Sequence, residues 1–224
     1  MALILNLETA TTNCSVSLAK DGELLAIKEH DTPNHSHSEQ LHVLIAEVLQ
    51  MASVNMNEID AIAVSKGPGS YTGLRIGVSA AKGLCFALDI PLISIPTLES
   101  MANQGNMLNY DFIVSVLDAR RMEVYSAIFD DGIEVRETRA EIIDENSFHD
   151  YIVKGSVLLA GSGAEKCKPF LKHENISFDS DIMPSAREMC KLSFRKYLQK
   201  DFENTAYFEP YYLKDFLVHK KKTS

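Results

Sequence analysis

One spacing occurs twice in this chain and limits what it can fold into. Glu8 ends the apolar run Leu3–Glu8, and the hairpin glycine Gly22 follows 14 residues later; Asp118 ends Phe112–Asp118, and Gly132 again follows after 14. In the first copy the strands Leu3–Glu8, Cys14–Lys20 and Glu23–Glu29 are joined through Asp21-Gly22. Asp-Gly between alternating apolar runs is a strong hairpin signal, because both turn positions accept left-handed backbone. The second copy reads Phe112–Asp118, Glu123–Phe129, the turn Asp130-Asp131-Gly132 and the return Ile133–Arg136.

Each copy continues in the same order. After the first meander a helix is predicted over about Ser38–Met51, with Leu41, Leu44, Ile45, Val48 and Leu49 on one face. The strand Ile59–Ser65, a glycine turn, the helix Thr72–Leu88, the strand Leu92–Ile95 and a helix through Met101 capped by Thr97 complete it. The second copy has a short helix near Ser147–Val153, the strand Val157–Ala160, the small turn Gly161-Ser162-Gly163-Ala164 and a helix over about Glu165–Lys172. A strand–strand–strand–helix–strand–helix unit used twice describes a duplicated α/β fold of the actin-like, ribonuclease-H-like kind, with mixed sheets, helices on both faces and two lobes. The expected division is residues 1–103 and 104–204, through the polar stretch Asn103–Asn109. A last helix, about Ala186–Leu198, precedes a tail over about 205–224, whose aromatic stretch Tyr207–Phe216 is expected to pack back onto a lobe.

The densest glycine usage lies at Gly67-Pro68-Gly69-Ser70-Tyr71-Thr72-Gly73-Leu74-Arg75-Ile76-Gly77. A strand, a glycine turn and a helix N-terminus bring bare N–H groups and a positive dipole end together, which is a recipe for an anion site. No Gly-Lys-Ser/Thr closes the loop, and dinucleotide-binding spacing is absent. Ser70 lies one position early for a nucleophile elbow, so it reads as a turn or cap residue. Behind it, Gly73, Gly77, Ala80, Ala81 and Gly83 leave a helix with little bulk. That helix suits close approach either to its own lobe or to a partner.

The 224 residues carry a net charge of −9, which disfavours solitary RNA binding; the dense basic run Lys220-Lys221-Lys222 reads as a solvated tail. Four separated cysteines (Cys14, Cys85, Cys167, Cys190) form no CxxC pair and suggest neither zinc nor redox chemistry. With no leader and no run of 18 apolar residues, a soluble cytoplasmic protein without membrane contact is expected. Glu8 and Asp118 are placed by symmetry to hold a magnesium–nucleotide complex, or else to be remnants of the fold. His30, His35, His37 and His42 have gaps of five, two and five, so no HxxxH pair exists; loop and cap histidines in solvent are expected.

Together Leu5-Asn6-Leu7-Glu8-Thr9-Ala10, the block Gly67–Gly77, Asp118-Ala119-Arg120 with Glu123-Val124-Tyr125, Pro184-Ser185-Ala186 and Pro210-Tyr211-Tyr212-Leu213 closely resemble the TsaB (YeaZ) family. The resemblance covers nearly the whole chain. It implies a non-catalytic scaffold that pairs with the paralogue TsaD, joined by TsaE, to modify the tRNA adenosine beside the anticodon. It also implies that tRNA is reached only through the complex, and that no cofactor is held tightly by the isolated chain, with ATP and magnesium in the complex. Family members usually open with an Ile-Asp-Thr-Ser-like turn, whereas this chain has Leu7-Glu8-Thr9-Ala10. Glu8, Thr9, Gly67, Gly69, Ser70, Thr72 and Asp118 are therefore expected to be a vestigial phosphate site, with no catalytic or metal-binding residue. Leu41, Leu44, Gly73, Arg75, Gly77, Val78 and Ala81 are the expected partner interface, used for a homodimer when the chain is alone. The alternatives are an actin-like magnesium-ATPase and, with less support, a peptidase.

Overall fold

The computed structural model describes residues 1–32, 37–104 and 109–214. His35, part of the expected lobe boundary and the tail from residue 215 with its lysine run lie outside them. Strands β1 (Leu3–Glu8), β2 (Asn13–Lys20) and β3 (Glu23–Asp31) form the first meander, followed by α1 (His37–Ala52), a 3-10 turn at Met56–Glu58 and β4 (Ala61–Gly67). Next come α2 (Tyr71–Leu88), β5 (Leu92–Pro96) and α3 (Thr97–Ala102). The second half holds β6 (Phe112–Asp118), β7 (Glu123–Asp130), β8 (Ile133–Ile142), α4 (His149–Ile152), β9 (Val157–Ala160), α5 (Ala164–Cys167), β10 (Ile176–Asp179) and α6 (Ala186–Gln199).

The duplication is complete at the level of the sheets. The first has the order β3-β2-β1-β4-β5 and the second β8-β7-β6-β9-β10. In both, the first three strands pair antiparallel and the fourth and fifth join in parallel. This is a duplicated actin-like α/β fold. Both hairpins turn through two left-handed residues, Asp21 (φ 51°) with Gly22 (83°) and Asp131 (45°) with Gly132 (75°), which matches the twist of the flanking strands. Gly67 and Gly161 also correspond: each leaves the fourth strand of its sheet at positive φ, 106° and 120°.

Helices cover the sheets in a way the order along the chain conceals. On one face of the first sheet α1 and α2 bury Leu41, Leu44, Val48, Val78 and Ala81 against Leu7, Val16 and Val64. Its other face, with Ile4, Ala61 and Ile93, is closed by Ala186, Met189 and Leu192 of α6, a helix that the expected division put in the second half. Reciprocally, Leu98, Met101 and Ala102 of α3 pack on the second sheet with Ile113, Phe129 and Leu158.

Smaller differences have local causes. Strand β8 runs to Ile142 instead of Arg136; as an edge strand it is mostly exposed and charged, so no apolar alternation marks its length. Strand β10 was not expected; it is four residues long and only half-buried. Thr97 is the first helical residue of α3, with Pro96 at the cap position.

Candidate functional site

In the first sheet the β1–β2 turn and the β4–α2 connection are zipped together. Ser70 caps α2, its Oγ accepting from the Gly73 N–H at 3.3 Å. The Ser70 N–H donates to the Ala10 carbonyl at 2.6 Å. A Cβ at Gly69 would overlap Ala10, one at Gly73 the Thr9 carbonyl and one at Gly77 the Thr9 hydroxyl. The glycines let α2 lie directly on the β1–β2 turn, so that no side chain fits between the two and the cradle of turn and helix N-terminus is closed up.

Glu8 is fully enclosed there. One oxygen, Oε1, accepts the Ala10 N–H at 2.6 Å, while Oε2 has no hydrogen-bond partner among the described residues. Burial raises its pKa to about 7, opposed by the Ala10 N–H, the Ser65 hydroxyl and the Thr9 N–H. Asp118, at the equivalent end of β6, is exposed; it accepts the Arg120 N–H at 2.6 Å and pairs with Lys166. The two acids share a place in the repeat but not an environment. A magnesium–nucleotide complex does not fit these residues, because Glu8 is walled in, the cradle is closed by Ala10 and Thr9, and Asp118 is engaged by Lys166. Thr72 is exposed.

His37 corrects the expectation of a solvated loop histidine. It is the first residue of α1, 1% exposed, with Nε2 at 2.6 Å from the Thr11 carbonyl. The expected interface residues divide in two. Leu41, Leu44, Val78 and Ala81 belong to the chain's own core, and Gly73 and Gly77 face Thr9, so none of the six presents a surface to a partner. Arg75 is exposed beside the Tyr71 ring. The outward faces of α1 and α2 instead enclose a groove of about 650 Å³, lined by Ser38, His42, Tyr71, Arg75, Ile76, Ser79, Ala80 and Gly83 among others. A Cβ on Gly83 would meet nothing within 4 Å. Nearby, Phe86 is 88% exposed.

Within the described part of the tail, residues 206–212 lie on α2 and β4. The Tyr211 N–H donates to the Lys66 carbonyl at 2.7 Å, and Lys82 Nζ donates to the carbonyls of Ala206 and Phe208. Tyr212 packs against Tyr71, and Lys214 reaches Glu123 on the second sheet. Sequence reasoning foresaw the return but not these anchors, since nothing local in Lys82 or Glu123 marks them as tail contacts. No described helix is long and apolar enough to cross a membrane.

Comparison with known proteins identifies the family. Residues 31–221 match the family model described as TsaD: tRNA N6-adenosine threonylcarbamoyltransferase. The chain is 30% identical to "tRNA threonylcarbamoyladenosine biosynthesis protein TsaB" of Haemophilus influenzae, over 97% of this chain and 96% of that protein. It is 27% identical to the Escherichia coli protein of the same name, over 97% of each. In fold it is similar to YeaZ from Pseudomonas aeruginosa, with a TM-score of 0.83 at 24% identity, covering 95% of this chain and all of that one. The chain belongs to the TsaB family, within the group that the TsaD-type family model describes.

Proposed function

We propose that this chain is a non-catalytic subunit of a tRNA threonylcarbamoyladenosine-synthesising complex, binding a TsaD-type transferase and holding it in its active geometry, with TsaE as a further partner. The observation that carries this reading is the closed cradle: Gly69, Gly73 and Gly77 seat α2 on Thr9 and Ala10 where a phosphate would otherwise lie. Outward lies the α1–α2 groove, lined in part by the small residues Ser79, Ala80 and Gly83, with open space over Gly83. That surface suits a helix of a partner, or of a second copy when the partner is missing. The acidic balance of −9 fits tRNA contact made chiefly within the assembled complex.

The test is reconstitution of tRNA threonylcarbamoylation from purified subunits with and without this chain. Modification should need it, and the chain alone should show neither transferase nor ATPase turnover. Full activity of the TsaD-type subunit without it sinks the proposal.

A further inference from the structure

The described residues of this acidic chain include a local concentration of positive charge that the scaffold role leaves unexplained. Three separate elements build it. The β6–β7 turn supplies Arg120 and Arg121, α5 supplies Lys166 and the tail supplies Lys214. The two lysines are neutralised, Lys166 by Asp118 and Lys214 by Glu123. Both arginines are exposed, and neither guanidinium has an ion-pair partner among the described residues.

Two of these cations crowd each other, Arg121 acting on Lys214. Burial first, and the Arg121 charge second, hold the Lys214 ammonium below its usual range. Burial raises the Tyr125 hydroxyl, and the Arg120 charge pulls it back. An anion seated at the turn would relieve that crowding. The backbone adds a second observation: Arg120 (φ 67°) and Arg121 (φ 52°) are both left-handed. The β2–β3 and β7–β8 hairpins place Asp-Gly in such a pair, which costs less strain.

We propose that this turn is a phosphate-contact site, in which the Arg120 and Arg121 guanidiniums, flanked by Lys166 and Lys214, grip backbone phosphates of the tRNA held by the assembled complex. Guanidinium forks match phosphate oxygens bidentately. An acidic protein partner is the weaker fit, because a protein interface needs an apolar centre and the turn offers one half-exposed methionine, Met122. This inference rests on the tRNA role proposed above.

The experiment titrates the complete reconstituted complex with tRNA by fluorescence anisotropy over a series of salt concentrations, comparing wild type with R120G/R121G and R120K/R121K. Glycine eases the left-handed backbone, so the first variant keeps its melting temperature. Its affinity for tRNA should fall about tenfold at low salt, and the slope of log affinity against log salt should shrink by about 1 to 2. The lysine variant should keep most of that slope. Unchanged affinity and slope in R120G/R121G, beside a wild-type complex that binds tRNA, overturns this site alone. Loss of subunit association in that variant also overturns it, by making the turn a protein contact. A wild-type complex that neither binds nor modifies tRNA overturns the underlying role as well.

Discussion

Gly73 lies against the main chain of Thr9 so closely that a side chain at Gly73 would overlap the Thr9 carbonyl oxygen. That contact welds the first turn of α2 to the end of β1, and the position has no flexible neighbour to yield. Gly73→Ala should destabilise the fold by about 2 kcal/mol, the overpacking exceeding the gain of about 1 kcal/mol in helix propensity. Gly77→Ala, which meets the Thr9 hydroxyl, should cost less. Gly83→Ala faces open space and should stabilise by about 0.5–1 kcal/mol. Urea denaturation of the three variants checks the order; equal effects at Gly73 and Gly83 would contradict it.

The same distinction relocates the probe of the partner surface. A bulky residue at Gly77 or Ala81 disrupts the chain's own core, so loss of partner binding there would be uninformative. Gly83→Leu instead fills the α1–α2 groove while leaving the core intact. Co-purification with the TsaD-type subunit should be lost at an unchanged melting temperature, and light scattering should show the isolated variant as a monomer. Retained association places the interface elsewhere.

Burial of Glu8 makes stability depend on pH in a defined direction. Its folded pKa, about 7, lies above the ordinary value of 4.5, so the folded chain binds more protons between those values. Stability therefore falls as pH rises from about 4.5 to about 7 and levels off above, a loss of roughly 3 kcal/mol at most. Glu8→Gln should remove most of this slope. Chemical denaturation of both proteins at pH 5 and pH 8 measures it, and an equal change with pH in wild type and Glu8→Gln would overturn the assignment.

Lys82 ties the tail to α2 through two carbonyls, those of Ala206 and Phe208. Lys82→Met should lower global stability by only about 1 kcal/mol yet release the segment locally. Amide hydrogen exchange at Phe208 and Tyr211 should quicken while β1 and β4 amides keep their protection. Uniform acceleration would mean that the tail is part of the global fold rather than a separately opening strap.

The meanders, both Asp-Gly hairpins and α2 were legible because each announces itself within a dozen residues. The site was legible in its parts: Ser70 as a cap, and the glycine stripe as a demand for close approach. The stripe alone does not decide between the chain's own lobe and a partner, since a missing side chain does not name its neighbour. Leu41, Leu44, Val78 and Ala81 have an apolar character that suits an interface and is equally the signature of a core. His37 looked like loop because its partner, the Thr11 carbonyl, is 26 residues away. The exchange of α3 and α6 was hidden for the same reason: helical periodicity shows that a face is buried, not which sheet buries it.

That exchange sets the order in which the chain can be completed on the ribosome. The first sheet has all its strands once Pro96 has emerged, yet the face bearing Ile4, Ala61, Ile93 and Ile95 has no cover until Ala186, Met189 and Leu192 follow. For the synthesis of about ninety residues, from Pro96 to Ala186, the nascent protein exposes an apolar sheet face. It is then that the protein is most exposed to aggregation and most in need of a chaperone, because its opening residues must wait for its closing helix.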